Sequence, residues 1–409
     1  MKKRFLSLFS LLFFFGLLMG PHPGLVKPAY GQQRSVSQML QYVRSVSDDS
    51  LRQASVWDSL RQAGSIPYVV HDSVLFLYRG PAKQVAWVGD WNRWNQRTEQ
   101  WFSSQALPGN IFYHLTRFDP HGRIDYKIIV DGNWILDPNN PQVQYSGFGP
   151  NSELRMGAWQ ADPIITERKD IPKGSLSEPT VIHSTRMGYK VAYQVYRPHP
   201  SVQGPYRVVY ITDGHQYADP ALGRVPIILD NLHAEGRIEP TLAVFIDPRD
   251  PDSGHNRRRP ELVLHAPFQQ FIDTELIPLI DQQYPTIDSP EARAILGTSL
   301  GGLNATYTAI SLPHRFAKIG AHSPAYRYND SIDQIYVLAR NHDFKGQSIL
   351  MTTGTLNDTE EGARQMRDLL QAKQVDLRYI EVPEGHSWGN WVALMDEMFL
   401  HFWPKKSPK

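Results

Sequence analysis

A glycine-flanked serine, in the run Gly297–Gly302, constrains the fold of this chain more than any other feature. The run reads Gly-Thr-Ser-Leu-Gly-Gly and so contains the pattern Gly-x-Ser-x-Gly. The short apolar stretch Ala294–Leu296 precedes it, as expected of a buried parallel strand, and residues 303–310 can follow as a helix. Such a pattern turns a strand sharply into a helix and exposes the serine hydroxyl at the top of a sheet. We predict that Ser299 is a nucleophile, and the alternative is a glycine-rich turn with a bystander serine.

A base for this serine is predicted at His386, because a free hydroxyl is a poor nucleophile at neutral pH. His386 lies between a strand-like run, Leu377–Val382, and a predicted C-terminal helix, Trp388–Phe402. That is the position of the base when the chain order is Ser, then Asp or Glu, then His. The alternative is an ordinary surface-loop histidine.

The acid that orients this histidine should follow an earlier strand, and Ser348–Thr353 reads as that strand. Asp358 is preferred, because it would accept the Nδ1–H of the histidine and fix its tautomer. Glu360 and Glu361 are the next candidates. Asp358 or its neighbour Thr359 would also serve as the N-cap of a following helix. The sequence therefore leaves the identity of the acid open.

Two backbone donors are expected for the negative oxygen of a tetrahedral intermediate. The N–H of Leu300, directly after the serine, is the first. The second should follow an earlier strand, here Val208–Thr212. We predict a donor within Gly214–Gln216, with His215 preferred, and the alternative is an ordinary Asp-Gly turn.

The N-terminal 31 residues are predicted to be a secretory signal peptide. Lys2–Arg4 is positively charged, Phe5–Met19 is apolar but too short to span a bilayer comfortably, and Ala29–Gly31 offers small residues for cleavage. An uncleaved membrane anchor is the alternative. We therefore expect a periplasmic or secreted protein with no membrane span after cleavage. The chain has no cysteine, so its stability must come from core burial rather than disulfides.

Charge and motifs limit the partners of the chain. The formal net charge is +1, and removal of the signal peptide, which holds four Lys and Arg and no acid, leaves −3. This near-neutral balance argues against nucleic acid as a partner. The sequence shows no zinc, phosphate-loop or dinucleotide motif, and we expect no cofactor or metal.

The rest of the chain divides into four segments by pattern. Residues 32–65 predict a helical leader, since apolar residues recur there at helical spacing. Residues 66–158 hold short β runs separated by turn signals and predict a β-sandwich. Residues 159–180 are rich in Pro, Ser and charge and predict a linker. Residues 181–409 alternate strands and helices, which predicts an α/β fold with a mainly parallel sheet covered on both faces.

Tryptophans near turns of the predicted sandwich are candidate binding residues. Trp94 and Trp134 would stack on sugars or other flat ligands if their rings are exposed. The alternative is that they pack against the second domain or fill the sandwich core, a role that the sequence favours for Trp91.

The serine run, the helix around Phe268–Pro278 and the Gly385–Trp388 segment together resemble the esterase D, or enterochelin-esterase-like, family. This resemblance covers roughly residues 180–403. It implies the α/β-hydrolase fold and activity on esters of the kind that siderophore esterases, feruloyl esterases and mycolyltransferases use. It carries the family's nucleophile, acid and base over to Ser299, Asp358 and His386.

Residues 72–157 resemble the early-set sandwich related to glycogen-binding modules, as in the beta subunit of AMP-activated kinase. That resemblance implies sugar stacking at Trp94 and Trp134. Similar sandwiches also precede enterochelin and feruloyl esterases, where the domain only packs beside the active site. Arg258, in a run of three arginines, is a candidate contact for an acidic acyl group or a catecholate, although charge runs in loops are usually just solvated.

These observations predict an exported serine esterase with an Ig-like sandwich ahead of an α/β-hydrolase domain. The expected substrate is a feruloyl or acetyl ester on a polysaccharide, or a ferric-siderophore ester, and a glycan is a further candidate partner. A carbohydrate-binding protein with a vestigial hydrolase domain and an acyltransferase are the alternatives. The sequence identifies neither the acyl nor the alcohol part of the substrate, nor the oligomeric state.

Overall fold

The computed structural model describes residues 34–46, 49–95, 105–328 and 332–405. The predicted signal peptide, residues 1–31, lies outside the described residues.

Residues 68–155 form two antiparallel sheets that pack face to face. Within the described residues the strand order is β1-β2-β5-β4 in one sheet and β3-β6-β9-β8 in the other, where β7 also pairs with β6. The strands are β1 (Tyr68–Val70), β2 (Ser73–Arg79), β3 (Val85–Gly89), β4 (Gln105–Leu107), β5 (Ile111–Arg117), β6 (Arg123–Val130), β7 (Asn133–Ile135), β8 (Val143–Gln144) and β9 (Asn151–Arg155).

Alternation along β2 decides which side chains fill the sandwich core. Val74 and Phe76 face the second sheet and meet Trp87 and Tyr126, because successive side chains of a strand point to opposite faces. Trp91 also packs here, with its ring stacked on Phe76 at a centroid distance of 5.6 Å. This tryptophan therefore contributes to the core, as the sequence favoured.

The outer face of the first sheet is covered by the N-terminal helices α1 (Val36–Ser45) and α2 (Ser50–Gln62). Leu75 and Leu77, on the other face of β2, pack against Leu40 and Trp57 of these helices. Strand β2 is thus buried on both faces. The helical leader is an integral layer of the sandwich rather than an appendage.

The segment from 159 to 180 joins the sandwich to the second domain and packs closely on the latter. Ile164 and Ile165, in a 3₁₀ turn at Pro163–Ile165, are buried among the side chains of that domain. Asn231 donates hydrogen bonds to the carbonyls of Ile164 and Thr166. The predicted linker is therefore largely held in place.

Residues 175–405 build a mainly parallel sheet. Its order among the described strands is β10-β12-β14-β13-β15-β16-β17-β18, and β11 pairs with β12. Pairs from β14 to β18 are parallel, whereas β10, β11 and β14 run antiparallel to β12. The strands are β10 (Ser175–Leu176), β11 (Thr180–His183), β12 (Lys190–Arg197), β13 (Arg207–Ile211), β14 (Thr241–Asp247), β15 (Arg293–Thr298), β16 (Lys318–His322), β17 (Ser348–Gly354) and β18 (Asp376–Val382).

Helices cover both faces of this sheet, which confirms the predicted α/β arrangement. One apolar core packs α5 to α10 on the sheet, and the opposite core packs α3, α4, α11 and α12. The helices are α3 (Gly214–Ala218), α4 (Val225–Ala234), α5 (Arg258–Leu262), α6 (Ala266–Phe271), α7 (Ile277–Gln283), α8 (Leu300–Ser311), α9 (Ile332–Asn341), α10 (Glu360–Ala372), α11 (Trp388–Ala393) and α12 (Met395–Phe402), with a π-helical turn, Ile272–Leu276, between α6 and α7.

The C-terminal helix differs in one respect from the prediction. Instead of one helix over Trp388–Phe402, the chain leaves helical geometry at Leu394, where ψ is 9°, so that α11 and α12 are separate. No helix in the described ranges has the length and apolar character needed to cross a membrane.

Candidate active site

The serine predicted as nucleophile lies in a tight bend between β15 and α8. Ser299 has φ 59° and ψ −117°, a conformation that costs an L-residue free energy and needs support from its surroundings. The support is a set of backbone hydrogen bonds: its N–H donates to His322 O at 2.9 Å, and its carbonyl accepts from Leu303 N and Ala325 N at 3.1 and 2.9 Å. The bend therefore fixes the direction of the hydroxyl.

Two glycines of the serine run make this bend sterically feasible. A Cβ on Gly297 would lie 2.4 Å from the backbone of Gly301, and one on Gly301 would lie 2.5 Å from Thr212 Oγ1. Both distances are far below van der Waals contact. The run is thus packed too closely for any larger residue at either position.

Three further segments reach the same edge of the sheet as the bend, since the carboxyl ends of parallel strands share one edge. Strand β13 is followed by Gly214–Ala218, β17 by the loop to Asp358, and β18 by Pro383–Ser387, which we call the histidine loop. The predicted base, acid and second backbone donor therefore lie at one edge with the serine.

The predicted base and acid are hydrogen-bonded in series with the serine. His386 Nε2 lies 3.0 Å from Ser299 Oγ, and His386 Nδ1 lies 2.5 Å from Asp358 Oδ1. The Asp358 side chain is fully buried, whereas 37% of the His386 side chain is exposed. The geometry fits the tautomer with hydrogen on Nδ1, which leaves Nε2 to accept the serine proton.

The acid is held by a dense set of donors. Ser323 Oγ and the Gly354 N–H donate to Asp358 Oδ2 at 2.5 and 2.6 Å. Trp391 Nε1 donates to Ser323 Oγ at 2.9 Å, and its ring meets His386 edge-on. Burial raises the pKa of Asp358, but the interaction with His386 and these hydrogen bonds hold it below its ordinary value. The carboxylate therefore stays ionised near neutral pH.

The rival acids occupy other positions. Glu361 forms an ion pair with Arg327, and Glu360 opens α10 beside it. Thr359 is the N-cap residue of α10, but its side chain makes no capping hydrogen bond. Of the three candidate acids, Asp358 is the one that contacts His386 in the structure.

The two predicted oxyanion donors open helices at this edge. Leu300 is the first residue of α8 and His215 the second of α3, positions whose N–H groups have no acceptor within the helix. The Gln216 N–H, another candidate, already donates to Asp213 O at 2.9 Å. The His215 side chain is largely buried near Asp247, and burial lowers its pKa.

Arg258 links the C-terminal ends of β13 and β15 through hydrogen bonds. Its Nε donates to both carboxylate oxygens of Asp213 at 2.8 Å, and its Nη2 donates to Thr298 O at 3.2 Å. The side chain is 28% exposed and lines the cavity at the serine. It therefore braces the site and also faces the cavity, the position that the sequence interpretation required for a ligand contact.

A cavity of about 500 Å³ opens at Ser299 and His386 between the two domains. Trp94 and Trp134 of the sandwich both line it, and 42% of the Trp134 side chain is exposed. Trp94 has its indole N–H directed to Asp90 Oδ1 at 3.3 Å. A second cavity of about 450 Å³, lined by Arg93 and Arg327, also reaches Ser299 and His386.

Sequence reasoning missed the sandwich residues that contact the histidine loop. Arg123, at the start of β6, donates hydrogen bonds to Glu384 and Ser387 of that loop. No local pattern marks Arg123, since its partners lie more than 260 positions away. In the described part of the chain, no group of three or more His, Asp or Glu side chains is arranged to hold a metal ion.

A family model described as "Putative esterase" matches residues 184–402 of the chain, more than half of its length. This chain belongs to that esterase family. The match covers all three hydrogen-bonded side chains, and it confirms the family resemblance drawn from the sequence. The protein is a carboxylic ester hydrolase.

The curated relatives differ in how much of their own length this chain matches. It is 26% identical over 233 residues to the uncharacterized protein YjcH of Bacillus subtilis, spanning 55% of this chain and 96% of that one. It is 27% identical over 225 residues to an endo-1,4-beta-xylanase/feruloyl esterase of Xylanibacter ruminicola, 52% of this chain and 28% of that one. An iron(III) enterobactin esterase of Dickeya dadantii is 30% identical over 118 residues, 28% of this chain and 25% of the relative.

Solved structures confirm the architecture. The enterobactin esterase FES of Shigella flexneri superposes with a TM-score of 0.67 at 20% identity, covering 81% of this chain and 92% of that one. A match this long includes residues outside the region of the family model. It therefore supports the α/β-hydrolase fold together with the N-terminal β-sheet region.

Proposed function

We propose that this esterase is an exported serine hydrolase that cleaves its substrate through Ser299, His386 and Asp358. The observation that carries the proposal is the series of hydrogen bonds from Asp358 through His386 to a serine in a strained bend, open to a large cavity. Export rests on the N-terminal sequence, where a positive segment precedes a short apolar run.

The proposed reaction has two halves. Ser299 Oγ attacks the ester carbonyl while His386 Nε2 takes its proton, and Asp358 stabilises the resulting imidazolium. The backbone N–H groups of Leu300 and His215 stabilise the oxyanion, and the imidazolium then protonates the leaving alcohol. Water attacks the acyl-enzyme by the same route, releasing the acid and restoring the Ser299 hydroxyl.

The cavity supports an ester with an aromatic part. Four indole rings, those of Trp94, Trp134, Trp388 and Trp391, line it together with the exposed ring of Phe148 and with Lys127. This is a setting suited to a flat ring that bears hydroxyl groups. The relatives named as feruloyl and enterobactin esterases point the same way. We propose a feruloyl or related ester on a polysaccharide, or a ferric-siderophore ester, as the substrate class.

The sandwich tryptophans Trp94 and Trp134 are proposed to act as a wall of this cavity rather than as a separate glycan platform. Both line the space that Ser299 opens into, so a ligand on either ring would lie beside the reacting serine. The assembled hydrogen bonds at the serine also weigh against a vestigial hydrolase domain. An acyltransferase would use the same residues with a sugar hydroxyl in place of water.

Ser299→Ala tests the proposal. The variant should lose hydrolysis of para-nitrophenyl acetate, methyl ferulate and a ferric catecholate lactone, with an unchanged circular dichroism spectrum. Ser311→Ala, an exposed serine at the end of α8, should behave as wild type. A fully active Ser299→Ala variant would refute the assignment, and product analysis with an added sugar acceptor separates hydrolysis from acyl transfer.

A further inference from the structure

A buried arginine of the sandwich reaches across the domain boundary to the loop that carries His386. Arg123 begins β6, and its side chain is 1% exposed. Its backbone forms an isolated parallel bridge with Glu384 of the histidine loop. The two domains are therefore joined here through both main chain and side chain.

The guanidinium holds the histidine loop on both sides of His386. Arg123 Nε donates to Glu384 Oε2 at 2.9 Å, and Nη2 donates to Ser387 Oγ at 2.6 Å. Its third arm, Nη1, donates to Asp125 Oδ1 at 2.6 Å within the sandwich. The planar fork of an arginine fixes the directions of such bonds more tightly than an ammonium group does.

Glycines of the second domain make room for this contact. A Cβ on Gly389 would lie 1.8 Å from Arg123 Nη2, and one on Gly385 would lie 2.1 Å from Asp90 Cγ. Trp159 also donates its indole N–H to Glu384 Oε1 at 3.1 Å. The side chains of Asp90, Arg123 and Trp159 therefore lie against residues 384–389, the segment that contains His386.

The charges of this cluster prevent Arg123 from leaving it readily. Arg123 faces the buried carboxylates of Asp125, Glu384 and Glu153, of which Glu153 also pairs with Arg155. A buried charge is costly unless it is paired. Burial alone would lower the pKa of Arg123, but these carboxylates hold it above its ordinary value, while burial raises the pKa of Asp125 and Glu384.

We propose that Arg123 is a positioning residue, through which the sandwich sets the placement of His386 relative to Ser299. The inference rests on the proposed function, because it concerns the base of that reaction. Arg123 itself acts only through Glu384 and Ser387. The sandwich is then required for the rate of the chemical step, in addition to any contact that it makes with substrate.

The test compares the kinetics of Arg123→Lys and Arg123→Met with those of wild type on para-nitrophenyl acetate. The acyl group of this substrate is small, so its hydrolysis depends little on contacts with the sandwich tryptophans. A displacement of a reacting group by about 1 Å costs on the order of a hundredfold in rate. We expect kcat per correctly folded site to fall on the order of ten- to a hundredfold, with KM unchanged. Arg123→Lys should recover only part of the loss, because one ammonium group cannot hold Glu384, Ser387 and Asp125 together.

Arg293→Lys is the matched control. Arg293 is equally buried and pairs with Asp281 and Asp288 at the opposite end of β15 from the serine. This variant should lose stability but keep its kcat per folded site. The inference is overturned if the Arg123 variants lose stability alone, as this control does.

Trp159→Phe covers the case in which the Arg123 variants do not fold. It removes the donor to Glu384 Oε1 and should lower kcat without changing KM, and a wild-type kcat in this variant would overturn the inference. Ser299→Ala separates the two proposals. If that variant is inactive and the Arg123 series keeps full kcat, the positioning role fails while the proposed function stands.

Discussion

The serine bend and the histidine loop are held by different parts of the molecule. The bend is supported from within its own domain: its backbone bonds go to His322, Leu303 and Ala325, and its glycines pack on one another and on Thr212. The histidine loop is held within its own domain by bonds from Leu356 N and Asn390 Nδ2 to the carbonyls of Glu384 and Gly385. It is also held from outside that domain, by Arg123 of the sandwich and by Trp159 of the joining segment. The nucleophile is therefore supported within one domain, whereas the placement of the base also depends on contacts between two domains.

This difference matters for how the site tolerates change. A substitution in the bend directly changes the position of the serine, because strand, turn and helix are continuous in sequence. The histidine loop is sensitive to residues that are remote in the chain and that never approach the substrate ester.

His386→Ala should be nearly as damaging as loss of the serine, on the order of a million-fold in kcat, because such residues act as a unit. The double variant with Ser299→Ala should be scarcely worse than either single change. Steady-state kinetics on methyl ferulate measure this. His121→Ala, which changes an exposed histidine of the sandwich, is the control. Additive losses in the double variant would contradict the claim that Ser299 and His386 act as a unit.

Asp358→Ala should lower kcat on the order of a thousandfold or more, since the imidazole loses the acceptor that orients it. Glu360→Ala and Glu361→Ala, which alter carboxylates of the same loop and helix, should keep wild-type kcat. If Glu361→Ala is the damaging change and Asp358→Ala is not, the acid has been misplaced.

Gly389→Ala probes the domain contact from the other side. The added methyl would displace the Arg123 guanidinium, and overpacking costs about 1–3 kcal/mol in the free energy of unfolding. We expect a lower midpoint of urea unfolding and a kcat on para-nitrophenyl acetate reduced on the order of tenfold. Gly132→Ala, where the glycine has φ 87° but nothing within 4 Å, should lose stability without the loss of kcat.

Trp134→Ala should have the smallest effect. Ring stacking is worth roughly 0.5–1.5 kcal/mol, so KM for methyl ferulate should rise several-fold while kcat on para-nitrophenyl acetate is unchanged. Trp134→Phe keeps a ring and should restore most of the KM. An unchanged KM in Trp134→Ala would remove this indole from the proposed wall, and binding of xylan or glycogen at the same ring by the full chain would favour a glycan platform.

The elements that sequence predicted best are those with a local cause. Alternating strands and helices, the glycines around Ser299 and the loop position of His386 all follow from short patterns. The identity of the acid could not be decided from pattern, because it depends on a 2.5 Å contact between residues 28 positions apart.

Contacts between the domains were beyond the reach of pattern altogether. Nothing near Arg123 distinguishes it from a strand arginine that faces solvent, and its role appears only once Glu384 lies beside it. The same holds for Trp94 and Trp134, whose place in the cavity depends on how the sandwich packs against the second domain.

Labelling with a fluorophosphonate, followed by peptide mass spectrometry, tests the central claim most directly. Such probes react with a serine that a neighbouring base has activated. The account predicts one adduct per chain, on Ser299, with loss of esterase activity in proportion to labelling and no adduct in Ser299→Ala. An adduct on another serine that tracks the loss of activity, or an active enzyme that the probe leaves unlabelled, would contradict it.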